Sequence, residues 1–237
     1  MHVPGLIVRC LAKKVAGIIG ASNAVLEKWR EYLPERCLHK IPLGFALPEV
    51  VSKEKSDGRR TKIALVGDFV GWKNHLLLLK ALEILQAQNA EISAHIVGRC
   101  ISREAGNIVS ELRQFIRDHG LKNIRIDSDG GDGVKAIAEA DMLVSCARGE
   151  SFGRTVVEAL ALGRPVAAVT EGAIPEVLEG CTAATLCKAS PEDLAEAIAQ
   201  WLSPEKREAV AAQARNFAAR YSLQAMAEQT LQVLRHV

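Results

Sequence analysis

Two glutamates, Glu150 and Glu158, flank the part of this sequence that is best suited to chemistry. The segment from Gly149 onward reads GESFGRTVVE and continues as a largely apolar run to Val169. We expect a tight loop, then a buried helix that begins near Gly153, and then a buried strand. Because helical side chains lean toward the helix N-terminus, Glu158 on the second turn can reach the same pocket as Glu150.

The start of this predicted helix could bind an anion. The glycines at 149 and 153 let backbone amides approach a ligand closely, and the free N–H groups of a helix start favour negative charge. We expect the backbone N–H groups of Ser151, Phe152 and Gly153 to be the donors. A plain helix N-terminus with Ser151 as its cap is the alternative, although a capped end still presents its later amides. Donors for phosphate beside carboxylates for hydroxyls suit a ligand that is part phosphate and part sugar.

Strand-like and helix-like segments alternate through most of the chain, which predicts an α/β fold with a doubly wound, Rossmann-like parallel sheet. The predicted strands are 61–67, 92–98, 124–127, 142–146, 165–169 and 183–187. The predicted helices between them are 73–88, 103–119, 134–140 and 153–163. Since ligands of such sheets bind at the carboxyl ends of the strands, the loops that follow these strands should face one crevice.

The amino-terminal region predicts one small strand and one helix. Residues 15–22 form the strand, and Ser22 or Asn23 then caps a helix that runs to about Tyr32. An extended linker begins near Lys40 and ends in a polar loop.

Helix-start signals recur toward the C-terminus. Ser190 and Ser203 each precede a proline and acidic residues, so each should cap a helix. The second cap should open a helical stretch that runs almost to Val237.

The overall composition excludes several classes of protein. The chain has 237 residues, of which 49% are hydrophobic, and this length fits one large domain or slightly more. Its net charge is +2, and no basic stripe with interleaved aromatic residues is visible, so we expect no nucleic-acid partner. The apolar runs are too short for a membrane span, and the sequence has no secretory signal pattern.

The six cysteines indicate a reducing environment. They stand at 10, 37, 100, 146, 181 and 187, without a C-x-x-C pair and without zinc-ligand spacing to histidine. Scattered cysteines in an alternating strand–helix chain are typical of buried thiols in a cytoplasmic protein. We therefore expect a cytoplasmic location and no metal site.

The segment that contains Glu150 and Glu158 resembles the E-x7-E signature of retaining, nucleotide-sugar-dependent glycosyltransferases with the GT-B fold, of the family-4 type. KIALVGDFVGWKNHLLLLKAL resembles the phosphate-binding strand–loop–helix that opens the C-terminal domain of that family. AHIVG resembles its second strand, and EGAIPEVLEG resembles its acidic turn. The resemblance runs from about Lys40 to the C-terminus.

This resemblance implies roles for individual residues. It implies that Glu150 contacts the donor sugar near the reacting centre and that Glu158 accepts hydrogen bonds from the ribose. Lys73, six residues after Gly67, matches the lysine that contacts the diphosphate, so Lys73 and Glu150 are the candidate catalytic residues. The alternatives are an exposed lysine at a helix start, a solvated loop carboxylate and a surface-facing helical glutamate.

Further donor contacts are implied at the ends of the neighbouring strands. Gly67 and Gly98 would allow close approach of the nucleotide, and the loop 127–133 would read the base edge. The resemblance implies a UDP-linked donor, or else a GDP-linked one, and a reaction without metal or other cofactor. Acids at alternate positions of loop 127–133 could suggest calcium, but the loop lacks the distal bidentate glutamate of such sites.

The sequence departs from the family pattern at the phosphate-binding loop. Asp68 stands where the family usually has an arginine, and an acid beside a diphosphate is repulsive. Either Asp68 points away from the ligand, or Arg154 or Arg148 supplies the missing cation, or phosphate binding is weakened. Arg154 is the better of the two arginines because it lies inside the glycine-rich turn. In the linker, Leu43 and Ala46 also replace an asparagine and an aspartate of the family.

The resemblance divides the chain into three parts. Residues 1–39 resemble only the last strand and helix of the family's acceptor-binding domain, residues 40–60 are a linker, and residues 61–237 form the donor-binding domain. The rest of the acceptor-binding half has no counterpart in the sequence. The C-terminal helices, which in the family cross onto that half, should then expose an apolar stripe that favours a separate acceptor domain or a homo-oligomer.

Two functions remain open from the sequence. One is a retaining glycosyltransferase, or its donor-binding part, that transfers a sugar to a saccharide or lipid-linked acceptor in cell-envelope polysaccharide or lipopolysaccharide synthesis. The other is a non-catalytic nucleotide-sugar-binding subunit or an inactive remnant. Arg9, Lys13 and Lys14 could touch the anionic inner face of the plasma membrane.

Overall fold

The computed structural model describes residues 14–48 and 60–235. The first of these ranges contains a two-stranded parallel sheet, with β1 at Ile18–Gly20 and β2 at Leu38–Lys40. A short helix, α1 at Asn23–Leu26, and two 3-10 turns connect the strands. We call residues 18–40 the amino-terminal unit.

The second range is built on six parallel strands. They are β3 (Thr61–Val66), β4 (Ile92–Val97), β5 (Ile124–Asp127), β6 (Met142–Ser145), β7 (Val166–Val169) and β8 (Ala184–Cys187). Their order in the sheet is β5-β4-β3-β6-β7-β8. The strand order therefore reverses between β3 and β6, and the crevice at such a switch point is where doubly wound sheets bind ligands.

Helices cover both faces of this sheet. They are α2 (His75–Ala87), α3 (Arg103–Asp118), α4 (Gly133–Glu139), α5 (Arg154–Ala161), α6 (Ile174–Val177), α7 (Pro191–Ala199), α8 (Pro204–Ala218) and α9 (Leu223–Leu234). One apolar core joins the sheet to α2, α3 and α7, and a second joins it to α4, α5 and α8. Adjacent strand residues such as Ile63 and Ala64 enter opposite cores, as expected for strands that are buried on both faces. The predicted Rossmann-like fold is confirmed.

The amino-terminal unit differs from its prediction in two ways. The helix expected to reach Tyr32 ends at Leu26, because the backbone then tightens into a 3-10 turn in which Arg30 N–H bonds to the Glu27 carbonyl. Residues 38–40 form the strand β2, whereas the sequence predicts no strand there and divides them between the first part and the linker. Three residues carry no readable periodicity, and β2 is defined only by its pairing with β1.

The C-terminal helical stretch is broken at Ser222. That residue is extended and its hydroxyl accepts a hydrogen bond from the amide of Ala225, so it caps α9. The linker contacts the chain at this break, since the amide of Phe45 bonds to the carbonyl of Tyr221 at 3.2 Å. Leu223, Leu231 and Leu234 of α9 are exposed, and the predicted apolar stripe is present.

Some predictions fall outside the described residues or are corrected by them. Arg9, Lys13, Cys10, most of the polar loop and Val237 lie outside. Among the described cysteines Cys146 is buried, and burial raises the pKa of its thiol, but Cys100 is exposed, so the prediction of buried thiols is wrong there. None of the described helices has the length and hydropathy that crossing a bilayer requires.

Candidate functional site

Lys73 and Glu150 meet at the switch point of the sheet. Lys73 ends a 3-10 turn after β3, Glu150 lies in the loop after β6, and Lys73 Nζ is 2.6 Å from Glu150 Oε2. Both side chains are largely buried, with 18% and 12% of their surfaces exposed. The two loops are also joined through their backbones, because the Arg148 amide donates to the Trp72 carbonyl at 2.7 Å. The structure thus brings together the two predicted catalytic residues.

Of the predicted donor-binding glycines, Gly67 lies directly beside this pair and Gly98 lies against Gly67. A Cβ at Gly67 would lie 3.2 Å from Cδ of Lys73, so the lysine stem passes over Gly67. A Cβ at Gly98 would lie 2.1 Å from the Gly67 carbonyl oxygen. The glycine at 98 is therefore required by the chain's own backbone, whereas the resemblance implied close approach of a nucleotide.

The loop Gly149–Gly153, which we call the glycine loop, turns into α5 through left-handed backbone. Gly149 has φ +72° and Gly153 has φ +93°. Gly153 is the N-cap of α5, and within the described ranges no side chain caps this helix. The alternative in which Ser151 is the cap is therefore wrong, and in the described residues the first amides of α5 have no side-chain partner.

The other residues of the glycine loop are held by hydrogen bonds and packing. The amide of Ser151 donates to Glu150 Oε1 at 3.2 Å, and its carbonyl accepts from the hydroxyl of Ser22 at 2.8 Å. The ring of Phe152 is buried and packs edge-on against Tyr221. One carboxylate, that of Glu150, therefore contacts both the predicted phosphate cation and a predicted phosphate-binding amide.

Glu158 is buried and has a partner within the chain. It is 5% exposed, which rules out the surface-facing alternative. Its Oε1 accepts a hydrogen bond from Arg154 Nε at 2.7 Å, and the Arg154 guanidinium lies over the ring of Phe45 in the linker. Arg154, considered above as a replacement phosphate cation, is thus paired with the carboxylate that the resemblance assigns to the ribose.

Asp68 forms a two-pronged ion pair that the sequence analysis missed. Arg99 Nε and Nη2 donate to its two carboxylate oxygens at 2.9 and 2.8 Å, and this bonding holds the pKa of Asp68 below its usual value. Each residue directly follows the glycine that ends one of two adjacent parallel strands. That shared position is a signal from which the pair could have been found.

His75 is a buried residue at the start of α2. Its Nε2 lies 3.2 Å from the Gly67 carbonyl oxygen, and its ring stacks on Phe69. Burial, assisted by the nearby charge of Lys73, lowers the pKa of His75 to about 4, so the imidazole is neutral near pH 7.

Two of the acids in loop 127–133 bond within the loop or to the start of the next helix. Asp132 caps α4 by accepting from the Lys135 amide, and Asp127 Oδ1 accepts from the amide of Asp129. Within residues 14–48 and 60–235, no group of three or more histidines, cysteines or acids is arranged to hold a metal ion.

Several solved structures share this fold. A glycosyltransferase from Rickettsia africae superposes with a TM-score of 0.84 at 20% identity, over 100% of this chain and 68% of its own. HepE from Anabaena gives 0.82 at 21%, over 98% of this chain and 66% of its own. TarM from S. aureus superposes with a TM-score of 0.76 at 18% identity, over 96% of this chain and 45% of its own. The chain thus spans between 45% and 68% of the length of these proteins.

The comparison at the level of families is more specific. A search among curated proteins found no match. Residues 48–217, which include Lys73, the glycine loop and Glu158, match the family described as glycosyl transferases group 1. The chain belongs to this glycosyltransferase group 1 family.

Proposed function

We propose that this chain is the donor-binding part of a retaining glycosyltransferase. It takes a sugar from a UDP-linked or GDP-linked donor and passes it to a saccharide or lipid-linked acceptor, in cell-envelope polysaccharide or lipopolysaccharide synthesis at the cytoplasmic face of the membrane. The observation that carries this proposal is the contact between Lys73 and Glu150 at the switch point, beside the uncapped start of α5.

The diphosphate of the donor fits between Lys73 and the start of α5. A phosphate oxygen needs a cation and backbone donors, and both are already used by one carboxylate, since Glu150 contacts Lys73 Nζ and the amide of Ser151. A diphosphate would compete with Glu150 for the same two donors. Solved proteins of this fold favour a UDP-linked donor, because HepE has been crystallised with UDP and with UDP-glucose, and TarM with UDP.

Displacement by the diphosphate gives Glu150 a second role. Once its oxygens leave Lys73 and Ser151, the carboxylate lies beside the sugar and can accept hydrogen bonds from sugar hydroxyls. In this proposal Glu158, buried one helical turn into α5, accepts from the ribose once Arg154 turns toward solvent; the Arg154 side chain is already 68% exposed. Both steps exchange an internal ion pair for a contact with the donor.

The transfer itself needs no metal in this proposal. The bond between the sugar C1 and the diphosphate oxygen breaks, and its electron pair stays on the diphosphate, where Lys73 and the α5 amides stabilise the charge. The acceptor hydroxyl attacks C1 from the face that the diphosphate leaves. Its proton passes to the departing phosphate oxygen, so atoms and charge balance and the configuration at C1 is retained.

A non-catalytic nucleotide-sugar-binding subunit is the second candidate. One observation favours it: the loop after β3 carries a carboxylate, that of Asp68, where the resembled family has an arginine. Such a subunit would act with a separate acceptor domain or as a homo-oligomer, and it would bind a nucleotide without turning over its sugar.

Calorimetry with UDP and GDP tests the binding site. We expect wild-type protein to bind one of them, Lys73→Ala to weaken that binding at least tenfold, and Lys80→Ala, an exposed lysine on α2, to leave it unchanged. No heat with either nucleotide would refute both candidate functions. Release of glucose or UDP from UDP-glucose, lost in Glu150→Gln, would then separate an enzyme from a binding subunit.

A further inference from the structure

The amino-terminal unit touches the glycine loop directly through Ser22. This serine is fully buried, and its hydroxyl donates to the carbonyl of Ser151 at 2.8 Å. The same oxygen accepts from the amide of Val25 at 3.3 Å, so one side chain both caps α1 and holds a peptide of the glycine loop. Ser22 and Ser151 are 129 positions apart in the sequence.

A second set of contacts joins the unit to α6 through Glu176. Its Oε2 accepts from the amide of Asn23 at 2.8 Å. Its Oε1 accepts from Asn23 Nδ2 at 3.2 Å and pairs with Lys40 Nζ at 2.9 Å. Glu176 therefore holds the start of α1 and the end of β2 at once.

The segment that carries Glu176 also supports the glycine loop from behind. The amide of Ala173 donates to the carbonyl of Glu150 at 2.8 Å. A Cβ at Gly172 would lie 2.4 Å from that carbonyl oxygen, and a Cβ at Gly153 would lie 2.6 Å from Cδ1 of Ile174. Two routes from the amino-terminal unit thus end on consecutive carbonyls of the loop, those of Glu150 and Ser151.

We infer that the amino-terminal unit positions the glycine loop, directly through its own Ser22 and indirectly through Glu176 of α6. A loop bounded by two glycines in left-handed backbone has many accessible conformations, and fixing two consecutive peptides removes most of them. The affinity for the donor then depends on residues 18–40 as well as on the parallel sheet. Only the part of the inference that concerns the donor rests on the proposed function.

The first test replaces Ser22 and compares it with a matched cap. Ser22→Ala removes both the α1 cap and the bond to Ser151, whereas Ser203→Ala removes a cap of the same type at α8. We expect Ser22→Ala to raise amide hydrogen exchange at residues 151–153 and to weaken UDP binding about fivefold, and we expect Ser203→Ala to change neither. Ser22→Thr keeps the hydroxyl and should restore both.

The outcomes of this test separate the inference from the proposed function. If exchange at residues 151–153 is unchanged in Ser22→Ala, or changes equally in Ser203→Ala, the inference is wrong. If exchange rises but wild-type protein binds neither UDP nor GDP, the positioning holds and the donor assignment fails.

A double-mutant cycle tests the second route. Glu176→Gln and Lys40→Met each break the ion pair, so we expect each to weaken UDP binding about threefold and the double variant to weaken it no further. Glu179→Gln, an exposed glutamate just beyond α6, is the control and should have no effect. Additive losses in the double variant would show that the pair does not act as a unit and would overturn the role of Glu176.

Discussion

The helices of the described chain begin in two different ways. Six of them have a side-chain cap, provided by Ser22, Ser102, Asp132, Ser190, Ser203 and Ser222. Three have no side-chain cap in the described residues, and these are α2, α5 and α6. The uncapped helices follow β3, β6 and β7, which are neighbours in the sheet, whereas α3, α4 and α7 follow the outer strands β4, β5 and β8.

The helices without a side-chain cap lack a stabilising contribution that the outer helices have. A serine or aspartate cap contributes about 1 kcal/mol. The starts of α2 and α5 instead use left-handed residues, Asn74 at φ +52° and Gly153 at φ +93°. Such conformations are less favourable for most residues and concentrate at functional sites. Open amides therefore collect at the switch point, and the outer helices are capped in the ordinary way.

Among the variants that test this difference between helices, the replacement of Gly153 should lower the unfolding free energy most. Gly153→Ala forces a side chain into left-handed backbone and against Ile174, so we expect a loss of about 3 kcal/mol in unfolding free energy. Gly149→Ala meets open space and should lose about 1 kcal/mol. Thermal and urea unfolding measure both, and equal losses would contradict the role of the contact with Ile174.

Acid should destabilise the start of α2 through His75. Above pH 6.5 neither the folded nor the unfolded state protonates this side chain; between pH 6.5 and about 4 only the unfolded state does. Stability should therefore fall as the pH decreases through this window, by about 1.4 kcal/mol per pH unit at most. His75→Phe keeps the stack on Phe69 and should remove the contribution of His75 to the pH dependence of the unfolding free energy. A variant of the exposed His119 should leave that pH dependence unchanged.

Neutralising Glu150 should strengthen nucleotide binding. Glu150→Gln removes the carboxylate that competes for Lys73 and the Ser151 amide, so we expect UDP to bind about fivefold tighter. Glu139→Gln, an exposed glutamate that ends α4, is the control. Weaker binding in Glu150→Gln, measured by calorimetry, would show that the carboxylate does not compete with the diphosphate.

Removing a cap from an outer helix should affect stability alone. Ser102→Ala leaves the Ala105 amide at the start of α3 without its partner, which we expect to cost about 1 kcal/mol. UDP binding should not change, because the Ser102 hydroxyl bonds to an amide of its own helix and not to Lys73 or the glycine loop. A change in UDP affinity beyond twofold would remove the distinction between the two groups of helices.

The strand–helix alternation made the architecture predictable. Each strand of the large sheet was placed to within two residues, because buried parallel strands are short apolar runs bounded by glycine or polar residues. The meeting of Lys73 and Glu150 followed from the rule that loops at the carboxyl ends of the strands share a crevice.

Two kinds of contact in the structure were not predicted from the sequence. The pairing of Arg154 with Glu158 joins positions i and i+4 on a helix and was readable from the sequence. The bonds from Ser22 to Ser151 and from Asn23 to Glu176 join distant positions through polar side chains. The hydrophobic periodicity of the sequence does not indicate such contacts, because they form only when the folded amino-terminal unit packs against the rest of the protein.

Three short ion pairs around the switch point have a kinetic consequence. Lys73, Arg99 and Arg154 are each matched by a carboxylate within 3 Å, so their charges largely cancel beyond the crevice. A highly charged sugar nucleotide would then experience little long-range attraction. Its binding would depend on its phosphates replacing the protein carboxylates as partners of these cations at short range. The rate of capture should accordingly change little with ionic strength, while the rate of escape should increase as salt competes for the exchanged cations.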